Sequence, residues 1–361
     1  MSGLLAEWLP VADALDRMAA ATARARLHVA ANLSRLAAGA APIAAVEGAA
    51  SPNVVLAEHP LAKLRHYAGR GKRRAPVLIV ASLINRYYVL DLLPGLSVID
   101  KLNGAGHDVY VLDWTPVGAR GPALGFSDYV DGAIAWGASE ASRHATRERV
   151  AVLGYCMGGT MAAMFAALHP TRVSSLLLLG APIDFHASGT LATWTARGRF
   201  DPDLVVDANG NMPPWLMQSG FRAMNPFEPM WKALRLFVDG PSEDRLRHQV
   251  ALEAWLDDNI AFPGGLYREY IRGLYQDNAL VAGTFVVGDR RVDLAAIDMP
   301  LTVVVADRDH IAAPPSSEAL LARVTSTDQQ LVSFPTGHIG MTTSRAAHAE
   351  LWPRLIARLP G

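Results

Sequence analysis

Residues 150–169 read Val-Ala-Val-Leu-Gly-Tyr-Cys-Met-Gly-Gly-Thr-Met-Ala-Ala-Met-Phe-Ala-Ala-Leu-His. Val150 to Leu153 is a short apolar run of the kind that forms a buried strand. Thr160 to His169 has the spacing of a helix, with Met161, Met164, Phe165 and Leu168 toward a core. Between them, Gly154-Tyr155-Cys156-Met157-Gly158-Gly159 is a strand-to-helix turn carrying the only cysteine of the chain. The pattern is that of a nucleophile elbow with sulfur in place of oxygen, and its glycines permit a tight turn and close strand–helix packing. A sulfur there sits at a helix N-terminus, where the dipole and free N–H groups favour a thiolate.

Outward from the elbow, further apolar runs recur. They are Pro76–Val80, Asp108–Leu112, Ser175–Leu179, Leu301–Val305 and Gln330–Phe334. Helical patterns separate the first of them, including one over Val89 to Asn103. Continuous apolar strands separated by helices predict a parallel sheet covered on both faces. The regularity fails between Ile183 and Met299. That stretch holds Trp194, Trp215, Trp231 and Trp255, and runs such as Met212–Met217 and Met224–Met230. It is too long for a crossover and too apolar for a linker, so a mainly helical cap over the sheet is expected, with aromatics and methionines available to line an acyl tunnel. The expected organisation is an N-terminal helical arm and linker over 1–50, a core over 51–182 and 300–361, and the cap over 183–299. In the arm, Val11, Leu15, Met18, Ala25, Val29 and Leu36 form a stripe at helical spacing. It serves either the protein's own core or a partner.

Composition narrows the function. The 361 residues include 33 Lys and Arg against 34 Asp and Glu, a net charge of −1 that argues against general nucleic-acid binding. One cysteine excludes an internal disulfide, and no clustered Cys or His spacing suggests a metal. The chain has no signal-like N-terminus and no apolar run of about 18 residues, so a cytoplasmic protein without a transmembrane segment is expected.

A nucleophile on an elbow needs a base, and the base an orienting acid, in the chain order nucleophile, acid, histidine. The C-terminal strands supply both. Ala306-Asp307-Arg308-Asp309-His310 follows one run, and Pro335-Thr-Gly-His338-Ile-Gly-Met341 follows the next. Asp309 is preferred to Asp307 because it lies further beyond its strand, where a loop residue can turn inward. His338 is preferred to His310, which is too close to the acid in sequence. The oxyanion hole is expected from the backbone N–H of Met157 and one from the loop Ala81–Tyr88, with Ile84 favoured and Leu83 next. Asn85, Arg86 and His310 are candidates for substrate contact, although Asn85 and Arg86 serve equally well to shape the loop.

These stretches together resemble the polyhydroxyalkanoate synthases. The resemblance is carried by Gly-Tyr-Cys-Met-Gly-Gly (154–159), Ser-Leu-Ile-Asn-Arg-Tyr-Tyr (82–88), Asp-Val-Tyr-Val-Leu-Asp-Trp (108–114), residues 306–315 and Phe-Pro-Thr-Gly-His-Ile-Gly-Met (334–341), and runs from Ala57 to Leu359. The length is similar to that of the short catalytic subunits of the class III and IV enzymes. Two departures stand out: Thr115-Pro116-Val117 replaces the Gly-x-Pro that follows Asp-Trp in the short classes, and the Ala-rich N-terminus matches nothing in the family. The resemblance implies an α/β-hydrolase fold with an inserted cap, Cys156 as nucleophile, Asp309 as carboxylate and His338 as base. It implies transfer of 3-hydroxyacyl groups from coenzyme A thioesters to a growing polyester. It implies no cofactor, with coenzyme A a substrate whose phosphates would meet cations such as Arg197, Arg199 or Arg308. It further implies a second, non-catalytic subunit or a homodimer, and a location at the polymer granule. A cysteine thioesterase or polyester depolymerase would use the same machinery, and an inactive granule scaffold would not need the triad order.

Overall fold

The structure is a computed structural model and describes residues 49–224 and 243–361. The N-terminal stripe, Trp231 and most of the run Met224–Met230 lie outside the described residues. The central sheet has eight strands: β1 (Val54–His59), β2 (Ala62–Tyr67), β3 (Val77–Val80), β4 (Val109–Trp114), β5 (Val150–Tyr155), β6 (Val173–Leu179), β7 (Leu301–Ala306) and β8 (Gln329–Phe334). Their spatial order is β1-β2-β4-β3-β5-β6-β7-β8. Every neighbour from β4 to β8 pairs in parallel, and β1 and β2 are antiparallel additions at one edge.

The central strands are apolar at every position because both faces are covered. Leu78 and Val80 of β3 point into one core with Phe126, Met161 and Phe165. Val77 and Ile79 point into the other with Ile99, Leu102, Leu351 and Trp352. Helices α1 (Val98–Gly104), α2 (Ala135–Ala145) and α3 (Met157–Leu168) supply part of this cover. α3 is buried from Met157 to Ala167, which explains why it is apolar all round rather than striped.

Two features were not visible as runs. β1 and β2 alternate partly polar residues, as in Ala-Lys-Leu-Arg-His-Tyr of β2, because only one face of this edge is fully covered. The helix expected over Val89–Asn103 begins only at Val98. Pro94-Gly95 turns a small hairpin there, Asp91–Leu93 against Leu96–Ser97, with Gly95 at φ +80°. The buried Asp91 carboxylate accepts from Ser51 Oγ (2.7 Å) and Ser97 Oγ (2.6 Å), and Ser97 in turn caps α1 by accepting from Asp100 N (2.8 Å).

Between β6 and β7 the chain forms helices at Thr190–Thr195, Pro202–Asn209, Pro214–Met224, Gly264–Glu269 and α4 (Glu243–Asp257), a π-helical stretch Tyr270–Gln276, and a short hairpin at Val286–Arg291. Among the described residues, no helix is long and apolar enough to cross a membrane.

The chain leaves β3 toward β4 on one side and leaves β5 toward β6 on the other. The carboxyl ends of β3 and β5 therefore border a topological switch point, where such sheets open a crevice. The close approach there depends on glycine. A Cβ on Gly154 would stand 2.5 Å from Gly159 Cα, and one on Gly158 would stand 2.2 Å from Val80 O. Gly154→Ala is therefore expected to destabilise the fold by about 1–3 kcal/mol, read as a lower urea midpoint with an unchanged m-value. A midpoint equal to that of the parent would show that strand and helix can separate without cost.

Candidate active site

Cys156 follows β5 directly and caps α3 at φ 56°, ψ −131°. A non-glycine residue in that region costs on the order of 1–3 kcal/mol and persists only where its surroundings hold it. Here they do. Cys156 N donates to Leu179 O (2.9 Å) in the neighbouring strand, and Cys156 O accepts from Gly159 N (2.8 Å) in the first turn of α3. The side chain is part-exposed, unlike the residues on either side of it.

His338 lies in the loop after β8 and is buried. Its Nδ1 is 2.6 Å from Asp309 Oδ2. The other oxygen of Asp309 accepts from Ile311 N and Ala312 N, both at 2.8 Å, so the carboxylate is fixed on both sides. His338 Nε2 is buried and has no hydrogen-bond partner. Burial alone would lower the imidazole pKa. The charge of Cys156, then that of Asp309 and the hydrogen bond to Asp309, outweigh it and raise the pKa to about 10. Asp309 and His338 therefore meet, and the charge of Cys156 acts on the ring, whereas Asp307 is exposed and bonded to Ser333 Oγ, and His310 is exposed.

The loop after β3 is clamped from several sides. Trp114 Nε1 donates to Ala81 O (3.0 Å). Asn85 Nδ2 donates to Asn259 Oδ1, Arg86 Nη1 donates to Trp114 O (3.2 Å), and the Arg86 carbonyl accepts from Trp255 Nε1 (2.7 Å). Arg86 also pairs with Asp113 (3.5 Å). Asn85 and Arg86 thus hold the loop to β4 and to the end of α4. The Ile84 N–H donates to Ser82 Oγ (3.2 Å), so an oxyanion there would have to displace that hydroxyl. Leu83 is buried in the same turn, and Met157 is the first residue of α3. Of the cations considered for phosphate contact, Arg197 pairs with Asp277, Arg308 donates to Pro335 O (2.6 Å), and Arg199 is exposed.

Sequence reasoning expected aromatics of 183–299 near the site but did not single out the rings found there, nor Tyr155. Tyr155 stacks on His338, with centroids 5.2 Å apart and planes at 28°. Phe185, Tyr270 and Tyr275 pack edge to face, at 4.9–5.6 Å. Both phenols are pushed up by burial, and the charge of Cys156 adds to the shift in each. The tryptophans singled out from sequence do other work: Trp194 is exposed and Trp255 binds the Arg86 carbonyl. Tyr270 and Tyr275 sit in an otherwise ordinary helical pattern, and no local signal marks them.

A family model described as alpha/beta hydrolase fold matches residues 76–343. Among solved structures, a putative non-heme bromoperoxidase, BpoC, from Mycobacterium tuberculosis superposes with a TM-score of 0.52 at 15% identity, covering 82% of this chain and 96% of that one, a likeness of fold alone. The poly(3-hydroxyalkanoate) polymerase subunit PhaC of Allochromatium vinosum is 32% identical over 317 residues, covering 86% of this chain and 89% of that protein. The protein of the same name from Synechocystis sp. is 35% identical over 292 residues, covering 78% and 76%. The chain is an α/β-hydrolase-fold protein. Within that class it belongs to the PhaC poly(3-hydroxyalkanoate) polymerase family, a family of acyltransferases.

The electrostatics predict a titration. In the wild type the His338 ring should keep its proton through neutral pH toward about 10. Cys156→Ala removes the largest of the raising influences, so the ring should deprotonate at lower pH. Imidazole 15N shifts followed against pH check this, and identical titrations in the two proteins would separate the sulfur from the ring electrostatically.

Proposed function

We propose that this chain is a polyhydroxyalkanoate synthase that works through a cysteine acyl-enzyme. The observation that carries the proposal is a buried imidazole bound at 2.6 Å to a fixed carboxylate and electrostatically coupled to a cysteine on a strand-to-helix elbow. His338 already holds the proton of Cys156 in the resting pair, and the thiolate attacks the thioester carbonyl of a 3-hydroxyacyl coenzyme A. Negative charge on the carbonyl oxygen is met by the Met157 N–H and by one from the loop after β3. Coenzyme A leaves as the free thiol by taking the proton from His338, which leaves the ring neutral. Because a thioester is exchanged for a thioester, the step is near energetic balance. His338 then takes the proton of a 3-hydroxyl group as its oxygen attacks the acyl-enzyme, forming an ester and releasing the thiol.

Hydrolysis would follow the same path with water as the attacker. The rings of Phe185, Tyr270 and Tyr275 support transfer, because an apolar roof near the sulfur disfavours water at the acyl-enzyme. Residues 183–299 are proposed to form the cap that bears this roof. The product is an insoluble polyester, so the enzyme would work at the surface of the polymer. The relatives are named as subunits, and a second subunit is proposed to engage the apolar stripe of residues 1–45.

Given 3-hydroxybutyryl-CoA, the wild type should release coenzyme A together with polymer, and Cys156→Ala should release neither. Free 3-hydroxybutyrate as the sole product would make the protein a thioesterase instead. If Asp309 acts mainly in elongation, helping His338 activate the incoming 3-hydroxyl group, Asp309→Asn should still acylate once and then stall, whereas His338→Gln should be slow at acylation itself. Equal single-turnover acylation rates in these two variants would refute that division.

A further inference from the structure

Tyr155 is the last residue of β5 and immediately precedes the nucleophile. Its side chain alternates with Leu153 and Ala151 into the core that also holds Leu179, Phe334 and Met341. The ring is buried at 3% exposure. It lies against the imidazole of His338 at 5.2 Å and 28°, a stacked arrangement. Its hydroxyl is buried without a hydrogen-bond partner, so what Tyr155 presents to the site is the face of its ring. His338 is also confined by backbone. A Cβ on Gly180, which has φ +51°, would come within 3.0 Å of His338 Cε1 and Nδ1. The imidazole is thus held at Nδ1 by Asp309 and across its plane by packing, and only Nε2 is left free.

We propose that Tyr155 is a positioning residue whose aromatic face supports the charged form of His338, and so favours the imidazolium–thiolate pair over the neutral pair. The proposal rests on the reading of His338 as the base of Cys156. An aromatic face within about 6 Å attracts a cation through its quadrupole, most strongly where water is excluded. A neutral imidazole gains less from the same contact. The difference therefore acts on the proton balance between the ring and Cys156 and not only on the ring's position. The charged and titratable groups around the ring are Asp309 from the loop after β7, Cys156 from the elbow and Tyr155 itself. The phenols of Tyr270 and Tyr275 feel the charge of Cys156 and are not among the groups that act on the ring. Gly180 and Met341 contribute packing without charge.

The test follows alkylation of Cys156 by iodoacetamide between pH 5 and 10, which needs no acyl substrate. Tyr155→Leu should move the midpoint of the rate profile upward by about one pH unit and slow alkylation about fivefold at the wild-type midpoint and about tenfold well below it. At high pH, where the thiolate forms without help, the variant should react like the wild type. Tyr155→Phe should restore the wild-type midpoint. Tyr155→Met, closer in volume, carries the same comparison if Tyr155→Leu does not fold. An unshifted midpoint in the folded aliphatic variant would overturn the proposal. So would a Tyr155→Phe profile shifted as far as the aliphatic one, since the hydroxyl would then be the active part. His338→Gln is the control. If it keeps the wild-type profile, no ion pair exists, and the triad reading fails together with this one.

Discussion

The structure turns on how closely β5 and α3 approach each other around Cys156. Gly154 and Gly159 face one another with no room for a methyl group between them, and Gly158 sits against the backbone of Val80 and Ala81. This contact holds Cys156 at a positive φ that a free chain would leave. It also sets the first turn of α3 beside the end of β3, so that the amide of Met157 and the loop Ala81–Tyr88 border one space. An elbow of this kind is expensive locally, and the expense is offset by the apolar packing of a helix buried along its length.

Around that fixed point the remaining groups are held by two different means. Asp309 and His338 are tied by hydrogen bonds with defined directions: two backbone amides on one carboxylate oxygen and the imidazole on the other. Such bonds set orientation to within a few degrees, as proton transfer requires. The loop after β3 is held by a wider net. Trp114, Asp113 and Arg86 fasten it to β4, while Trp255 and Asn259 fasten it to the end of α4 and the residues that follow. Because α4 belongs to the segment between β6 and β7, the shape of the proposed oxyanion loop depends on that segment staying in place. A change there would be felt at the reacting carbon without touching the triad.

The resemblance to polyester polymerases and the fold shared with a bromoperoxidase pull in different directions only at first sight. The fold places a cysteine, an acid and a histidine in a fixed chain order, and it says nothing about what would attack the proposed acyl-enzyme. That choice falls to the surroundings of the sulfur. Here they are aromatic and buried, with Phe185, Tyr270 and Tyr275 in mutual contact.

Much of this was legible along the chain. Continuous apolar runs announced a covered parallel sheet, because a strand buried on both faces has no polar position to alternate. The elbow was legible because glycines must flank a strained turn. The pairing of Asp309 with His338 was legible because both follow the carboxyl ends of strands that lie side by side. What sequence could not give was decided by packing across large separations. The hairpin at Pro94-Gly95 interrupts a helical pattern, and its buried Asp91 is satisfied by Ser97 and by Ser51, which lies 40 residues away. Asn85 and Arg86 became clamps because Asn259, Trp255 and Trp114 are folded against them. Tyr155 came to face His338, 183 positions later in the chain, because strand alternation and the fold of β8 meet there. Periodicity and turn chemistry are local and can be read in order. Which side chain meets which across the sheet is set by the tertiary fold, and so only the structure could decide it.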